Sequence, residues 1–196
     1  MKKTIHYALI LDQSGSMQDL KDVVITSFNE QVEMIRKLQK KEPDVEIKIT
    51  LCIFNDEVDF KYTCQNLDYL QKLTSTDYQP NSCTALYDAM GITMLKIHEI
   101  MQPKDQVFLA IFTDGLENAS KNYTAKDIRL KLKMVEKEGW EIQFFCRYED
   151  ADNYRQKLDL SDNVCFQIIA EPEGIKLMEK QINFCLDRMV KSKKES

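Results

Sequence analysis

Histidine is nearly absent from this chain of 196 residues: only His6 and His98 occur. The six cysteines include no C-x-x-C pair, so a cysteine-histidine zinc cluster has little to be built from. Cys52, Cys64, Cys83, Cys146, Cys165 and Cys185 are scattered, several inside apolar runs such as Leu51-Cys52-Ile53-Phe54. They read as free, buried thiols in a reducing compartment. There is no basic stripe with interleaved aromatics, and 27 Lys and Arg stand against 32 Asp and Glu. That balance argues against non-specific attraction to nucleic acid or an anionic membrane. No apolar run reaches bilayer-spanning length. The stretch 5–11 follows Lys2 and Lys3 as a leader would, but His6 and Tyr7 interrupt it, Asp12 ends it, and no small-residue cleavage site follows. It reads as a buried first strand, and the chain as cytoplasmic. Also missing are a G-x-x-x-x-G-K-[ST] phosphate loop, a G-x-G-x-x-G fingerprint and a serine-base-acid signature.

What is present is ordinary for a globular protein: 43% hydrophobic and 30% charged residues. The length suits one domain, expected over 1–190, with 191–196 as a solvated tail. Apolar strand-like runs alternate with helical periods. Strands are expected over 5–11, 45–54, 58–62, 106–112, 140–146 and 164–169. Leu20, Val23, Val24, Phe28, Val32, Ile35 and Leu38 mark a first helix that Pro43 ends. Leu86, Met90, Met94, Ile97 and Met101 mark a second, and this methionine stripe reads as core packing. Ile128, Leu132 and Val135 give a third, stopped by Gly139. Pro172 opens the last, with Ile175, Met178, Ile182, Leu186 and Met189 on one face.

The tight polar link Asn55-Asp56-Glu57 makes 58–62 an antiparallel edge strand. The rest predicts a Rossmann-like α/β fold: an open, mostly parallel six-stranded sheet with helices on both faces. Such sheets bind ligands at the carboxyl ends of their strands. Asp12 and Asp114 stand at two of those ends.

Asp12-Gln13-Ser14-Gly15-Ser16 puts a carboxylate and two hydroxyls in one tight loop. Hard cations want oxygen donors, magnesium about six at about 2.1 Å. This loop supplies half a shell, although Asp, Ser and Gly also make ordinary turns and caps. Ser82-Cys83-Thr84-Ala85-Leu86 offers another hydroxyl at a helix start, and Phe112-Thr113-Asp114-Gly115 a second strand-end acid.

The series D-x-S-x-S, T-A-L and T-D-G resembles the von Willebrand factor A (VWA) domain with its metal-ion-dependent adhesion site. The match runs in order along nearly the whole chain. More narrowly, the sequence is similar to small stand-alone bacterial members, in Asn29, the run Thr84-Ala85-Leu86-Tyr87-Asp88-Ala89, the run from Asp114 to Ser120, Gly139-Trp140-Glu141 and Glu171-Pro172-Glu173-Gly174. The resemblance implies metal ligation by Asp12, Ser14, Ser16, Thr84 and Asp114, with Mg2+ as the ion and Mn2+ or Ca2+ as substitutes. It implies a protein partner that presents Asp or Glu to the metal, and no catalysis. The oligomeric state stays open.

The family usually has a glycine where this chain has Ser82, and Ser or Thr at Cys83. Losing the glycine is expected to stiffen the loop, and Cys83 to sit near the metal as a space-filling or redox-sensitive thiol. Glu117 and Asn118 are candidates for the rim, or for plain turn chemistry. Asp88 is a candidate for bonding the first metal loop. His98 is expected at the surface or packed on a helix, and His6 in or beside the first strand. Two other functions compete. One is a magnesium-dependent phosphoryl-transfer enzyme with Asp12 as nucleophile, although Ser14 stands where such enzymes want a second Asp. The other is a scaffold whose metal site is vestigial.

Overall fold

The structure is a computed structural model that describes residues 2–192. The strands are β1 (Lys3–Asp12), β2 (Val45–Phe54), β3 (Val58–Asn66), β4 (Gln106–Phe112), β5 (Glu141–Arg147) and β6 (Cys165–Ile168). The helices are α1 (Lys21–Lys41), α2 (Leu86–Ile100), α3 (Ala125–Lys137), α4 (Tyr148–Leu158) and α5 (Pro172–Lys191). One sheet contains all six strands in the order β3-β2-β1-β4-β5-β6. Every pairing is parallel except β2 with β3, as the hairpin at Asn55-Asp56-Glu57 predicts.

Residues of β1 alternate between two cores. Ile5, Tyr7, Leu9 and Leu11 pack with α1 and α5, through Phe28, Ile35, Ile182 and Leu186 among others. Ala8 and Ile10 pack with α2, α3 and α4, through Met90, Met94, Ile128 and Tyr154. A strand covered on both faces has no polar side to show, which is why these strands read as continuous apolar runs. Each such side chain fully buried contributes about 1.5–3 kcal/mol. Gly139 ends α3 with φ of +84°, a left-handed conformation open to glycine at no steric cost.

Two elements differ from the sequence reading. The edge strand β3 runs on to Asn66, because Gln65 and Asn66 pair with Ile49 and Lys48 through backbone groups without needing apolar side chains. Helix α4 was not expected at all. Its composition is polar, and only Asp150, Ala151, Tyr154 and Leu158 are buried. The signals were there in Glu149 and Asp150 at its start and Arg155 and Lys157 at its end, which oppose the helix dipole correctly. The last helix reaches Lys191, and beyond Ser192 the expected tail lies outside the described residues. No helix among the described residues is long and apolar enough to cross a membrane.

Asp77 ties the segment before α2 to the edge strand. It accepts from Lys61, from Thr74 N at 2.9 Å and from Thr74 Oγ1 at 2.6 Å. Lys61 and then the Thr74 hydroxyl hold its pKa down at about 2. A carboxyl depressed in the folded state stabilises it above the unfolded value near 4, and that contribution is lost as pH falls from about 4 to about 2. Asp77→Asn is therefore expected to flatten the loss of stability over that window in acid titrations followed by circular dichroism. The pair is partly exposed and screened, so the difference should stay below about 1 kcal/mol.

Candidate metal centre

β1 and β4 are neighbours, with Leu11 beside Phe112 in register. The chain leaves β1 toward β2 on one side and returns as β4 on the other, so the two carboxyl ends flank the switch point of the sheet. Asp12 and Asp114, about a hundred residues apart in sequence, meet there.

Asp12 is wholly buried. Its Oδ1 accepts from Ser14 N at 2.7 Å, and its Oδ2 accepts from Thr113 Oγ1 at 2.6 Å. Its backbone carbonyl accepts from Tyr78 Oη at 2.5 Å. Ser14 and Ser16 hydroxyls lie 3.2 Å apart, and Ser16 Oγ donates to Asp114 Oδ1 at 2.5 Å. A Cβ placed on Gly115 would lie 3.7 Å from Thr84 Oγ1 and 3.8 Å from Ser16 Oγ. The three loops thus bring Asp12, Ser14, Ser16, Thr84 and Asp114 into one cluster. All but Ser16 are buried.

Burial pushes the Asp12 carboxyl up to about 6, against the hydrogen bonds from Thr113 and Ser14. Asp114 is raised too, again by burial, with Ser16 and the charge of Arg147 opposing. Arg147 itself pairs with Asp150, Nε to Oδ2 at 2.9 Å. Among the described residues neither Asp12 nor Asp114 is in an ion pair. Two buried carboxylates with hydroxyls between them and no cationic side chain in contact make a donor set that suits a hard divalent cation.

The vWF domain of the type V pili tip protein Mfa5 from Porphyromonas gingivalis superposes on all of this architecture. The TM-score is 0.72 at 11% identity, over 100% of this chain and 99% of that domain. The fold is that of a von Willebrand factor A domain. The PilB minor pilin from Streptococcus sanguinis is similar with TM-score 0.69 at 11% identity over 97% of this chain. Proximal thread matrix protein 1 from the mussel byssus, with a zinc-occupied MIDAS motif, gives 0.62 at 11% over 95%. The chain spans 63% of the pilin and 46% of the matrix protein. No family model and no curated protein matches it in sequence.

Within this VWA fold several residues take roles other than those read from the sequence. Asp88 does not bond the loop of Asp12 to Ser16. Its buried carboxylate accepts from Lys121 N, Asn122 N and Tyr123 N at 2.8–2.9 Å, and from Asn122 Nδ2 at 3.0 Å. It anchors the far end of the loop that follows Asp114. Glu117 closes that loop on itself, accepting from Ala119 N, Ser120 N and Ser120 Oγ, and reaches α2 through Tyr87 N. Turn chemistry is thus the right reading of Glu117. Asn118 clamps Thr84: its Oδ1 accepts from Thr84 N at 2.9 Å, and its own N donates to Thr84 O at 3.0 Å. Asp12 is fixed by Thr113, the threonine of the T-D-G motif, and by Tyr78, which carried no signal in the sequence. His98 lies against Trp140, ring centroids 4.9 Å apart, and His6 is buried in β1, both as expected.

Cys83 is exposed rather than space-filling, and Cys64 is half-buried, so the all-buried reading holds for the other four thiols only. Ser82 adopts φ of +63°, at the position where the family pattern has glycine. Its carbonyl accepts from Gly15 N at 3.1 Å, so the left-handed residue ties the second loop to the first. A side chain with this φ costs about 1–2 kcal/mol. Ser82→Gly is expected to raise stability by about 0.5–1 kcal/mol in urea titrations, the gain being trimmed by the greater freedom of glycine in the unfolded chain. A loss of stability on this substitution would show that the Ser82 hydroxyl matters more than its backbone.

Proposed function

We propose that the chain is a metal-dependent protein-binding module. Asp12, Ser14, Ser16, Thr84 and Asp114 hold a divalent cation, Mg2+ by preference and Mn2+ or Ca2+ as substitutes. The carrying observation is the cluster itself: two buried carboxylates at neighbouring strand ends, bridged by hydroxyls and lacking an ion-pair partner among the described residues. Two carboxylates neutralise the ion and hydroxyls add no charge, so the bound cation offers a Lewis-acidic position to one more oxygen. An Asp or Glu of a protein partner is the natural donor.

The chain's own residues supply the rest. Tyr78 and Thr113 hold Asp12 still, and Asn118 holds Thr84, so the donors are pre-arranged and little ordering is left to binding. Leu116 and Tyr148 flank Asp114 and Arg147 in the chain and are exposed, giving a partner apolar contact near the site. The structural likeness to a pilus tip protein and a pilin supports an adhesive role, and the zinc-occupied motif of the mussel protein supports a divalent ion in this place.

The test is to pan a random peptide library on the immobilised full chain in Mg2+. Binders are expected to share an Asp or Glu, to lose affinity at least about tenfold when it becomes Asn or Gln, and to elute with chelator. Binders that carry no acid, or that stay bound in chelator, would overturn the proposal.

A further inference from the structure

The opposite end of the sheet carries a second constellation. β1 delivers Asp12 at its carboxyl end, and His6 lies six residues earlier, about 20 Å away along the strand. His6 is 2% exposed, and both its ring nitrogens are engaged. Nε2 is 2.9 Å from Asp105 Oδ2, and Nδ1 is 3.4 Å from Cys64 Sγ. Asp105, just before β4, is held in turn by Gln102 N at 2.9 Å. With Nε2–H donating to that carboxylate, the lone pair of Nδ1 is left facing the thiol.

The backbone at Cys64 is unusual. It has φ of +49° and sits where the pairing of β2 with β3 slips, between Ile49 and Leu51. Its N–H leaves the ladder and donates to Thr50 Oγ1 at 3.0 Å. A left-handed non-glycine residue at a bulge is a strained arrangement that re-aims one side chain, here across β2 toward His6.

We propose that Cys64 is a reactive thiol, with His6 as its base and Asp105 orienting the imidazole, and that it exchanges with small, carboxylate-bearing disulfides. A cleft of about 520 Å³ beside Asp105 is lined by Lys2, Thr4, Glu46 and Lys104. Its two lysines offer cations to the carboxylates of a peptide-like disulfide such as glutathione disulfide, and Glu46 and Asp105 on the same lining offer acceptors to its ammonium groups. Sγ attacks one sulfur of that disulfide while Nδ1 takes the thiol proton. The old S–S bond breaks, a bond from Cys64 to the attacked sulfur forms, and the departing thiolate recovers the proton from His6. The protein thiol is oxidised and the outgoing sulfur is reduced, so no further oxidant enters. Half-burial raises the Cys64 thiol, Asp105 and Glu46 raise it further, and Lys48 opposes them. The resting group is therefore a thiol that needs a base.

The test uses the full reduced chain and glutathione disulfide, with adducts mapped over time by mass spectrometry. Trypsin separates Cys64, in peptide 62–72, from Cys83, in peptide 73–96. Exposure alone puts Cys83 first, since it is the more exposed thiol. The expected result is the reverse, with Cys64 modified at least about tenfold faster at neutral pH. His6→Gln should remove that advantage and leave the Cys83 rate unchanged. Asp105→Asn, at a partly exposed position that spares the core, should slow Cys64 in the same direction and shift its pH–rate profile. Cys83 reacting as fast as Cys64 in the wild type, or a Cys64 rate unmoved by both variants, overturns the proposal. The proposed metal site takes no part in this measurement.

Discussion

Asp12→Asn is expected to melt in metal-free buffer at or above the wild-type temperature, and to lose the whole of the rise that Mg2+ or Mn2+ gives the wild type. The first half follows from burial. Asp12 carries a carboxylate with no exposure and no cation in contact among the described residues, and an uncompensated buried charge is costly. The neutral amide keeps the shape. Its oxygen still accepts from Ser14 N, and Thr113 Oγ1, which also lies 3.1 Å from Gly115 O, can turn its proton there and accept from the new amide. The second half follows from linkage: an ion that binds only the folded state at about a hundredfold over its Kd adds about 2.7 kcal/mol. For a chain of this size that is about 5–10 °C in Tm. Asp12→Ala separates the two effects, since it orphans the Ser14 N–H, while the Thr113 hydroxyl can still turn to Gly115 O. It should melt lower without metal, by about 1–3 kcal/mol for the group left unpaired, and gain nothing with metal. Thermal melts of the three proteins with and without ion decide this. An equal rise in wild type and both variants would remove the metal from the proposed function.

Asp88→Ala should be among the most destabilising single changes near the site. One buried carboxylate receives three successive backbone N–H groups, from Lys121, Asn122 and Tyr123. Water reaches the position poorly because Asp88 is 5% exposed. Orphaning these donors costs about 3–5 kcal/mol in all, or about 10 °C in Tm. The anchored loop is the one that carries Asp114, Glu117 and Asn118, so metal affinity should fall with stability. Tyr123 contributes from the same loop. Its ring fills the place of a side chain on Gly91, where a Cβ would come within 2.6 Å. Asp88→Asn should fall between, because its amide nitrogen would face a backbone N–H. Urea unfolding of the two variants measures the effect, and a loss under about 1 kcal/mol for Asp88→Ala would show that the loop does not depend on this anchor.

Much of the architecture was legible in the chain because burial leaves a periodic trace. Alternation of the first strand between two cores requires an apolar run, and the stripe Leu86, Met90, Met94, Ile97 requires a helix with one buried face. The edge strand was legible only as far as Tyr62, since its later residues pair by backbone alone. Helix α4 left too weak a trace, with few buried positions among many charges. Asp12, Ser14, Ser16, Thr84 and Asp114 could be named together because the series D-x-S-x-S, T-A-L and T-D-G resembles that of a known family; local pattern by itself offered only strand-end acids and loop hydroxyls.

What the sequence could not decide was partnership at a distance. Asp88 was a candidate for bonding the loop of Asp12 to Ser16 and instead anchors the loop that follows Asp114. Thr113 gained its role only when β1 and β4 were laid side by side, and Tyr78 only when the segment before α2 crossed the end of β1. His6, Cys64 and Asp105 are unremarkable where each stands in the chain, and are within hydrogen-bonding reach only because β3 turns back against β2 and β4 lies next to β1. Periodicity and spacing record which face of an element is buried, a property each segment carries by itself. Which donor meets which acceptor depends on strand order and register, and these belong to the folded sheet alone.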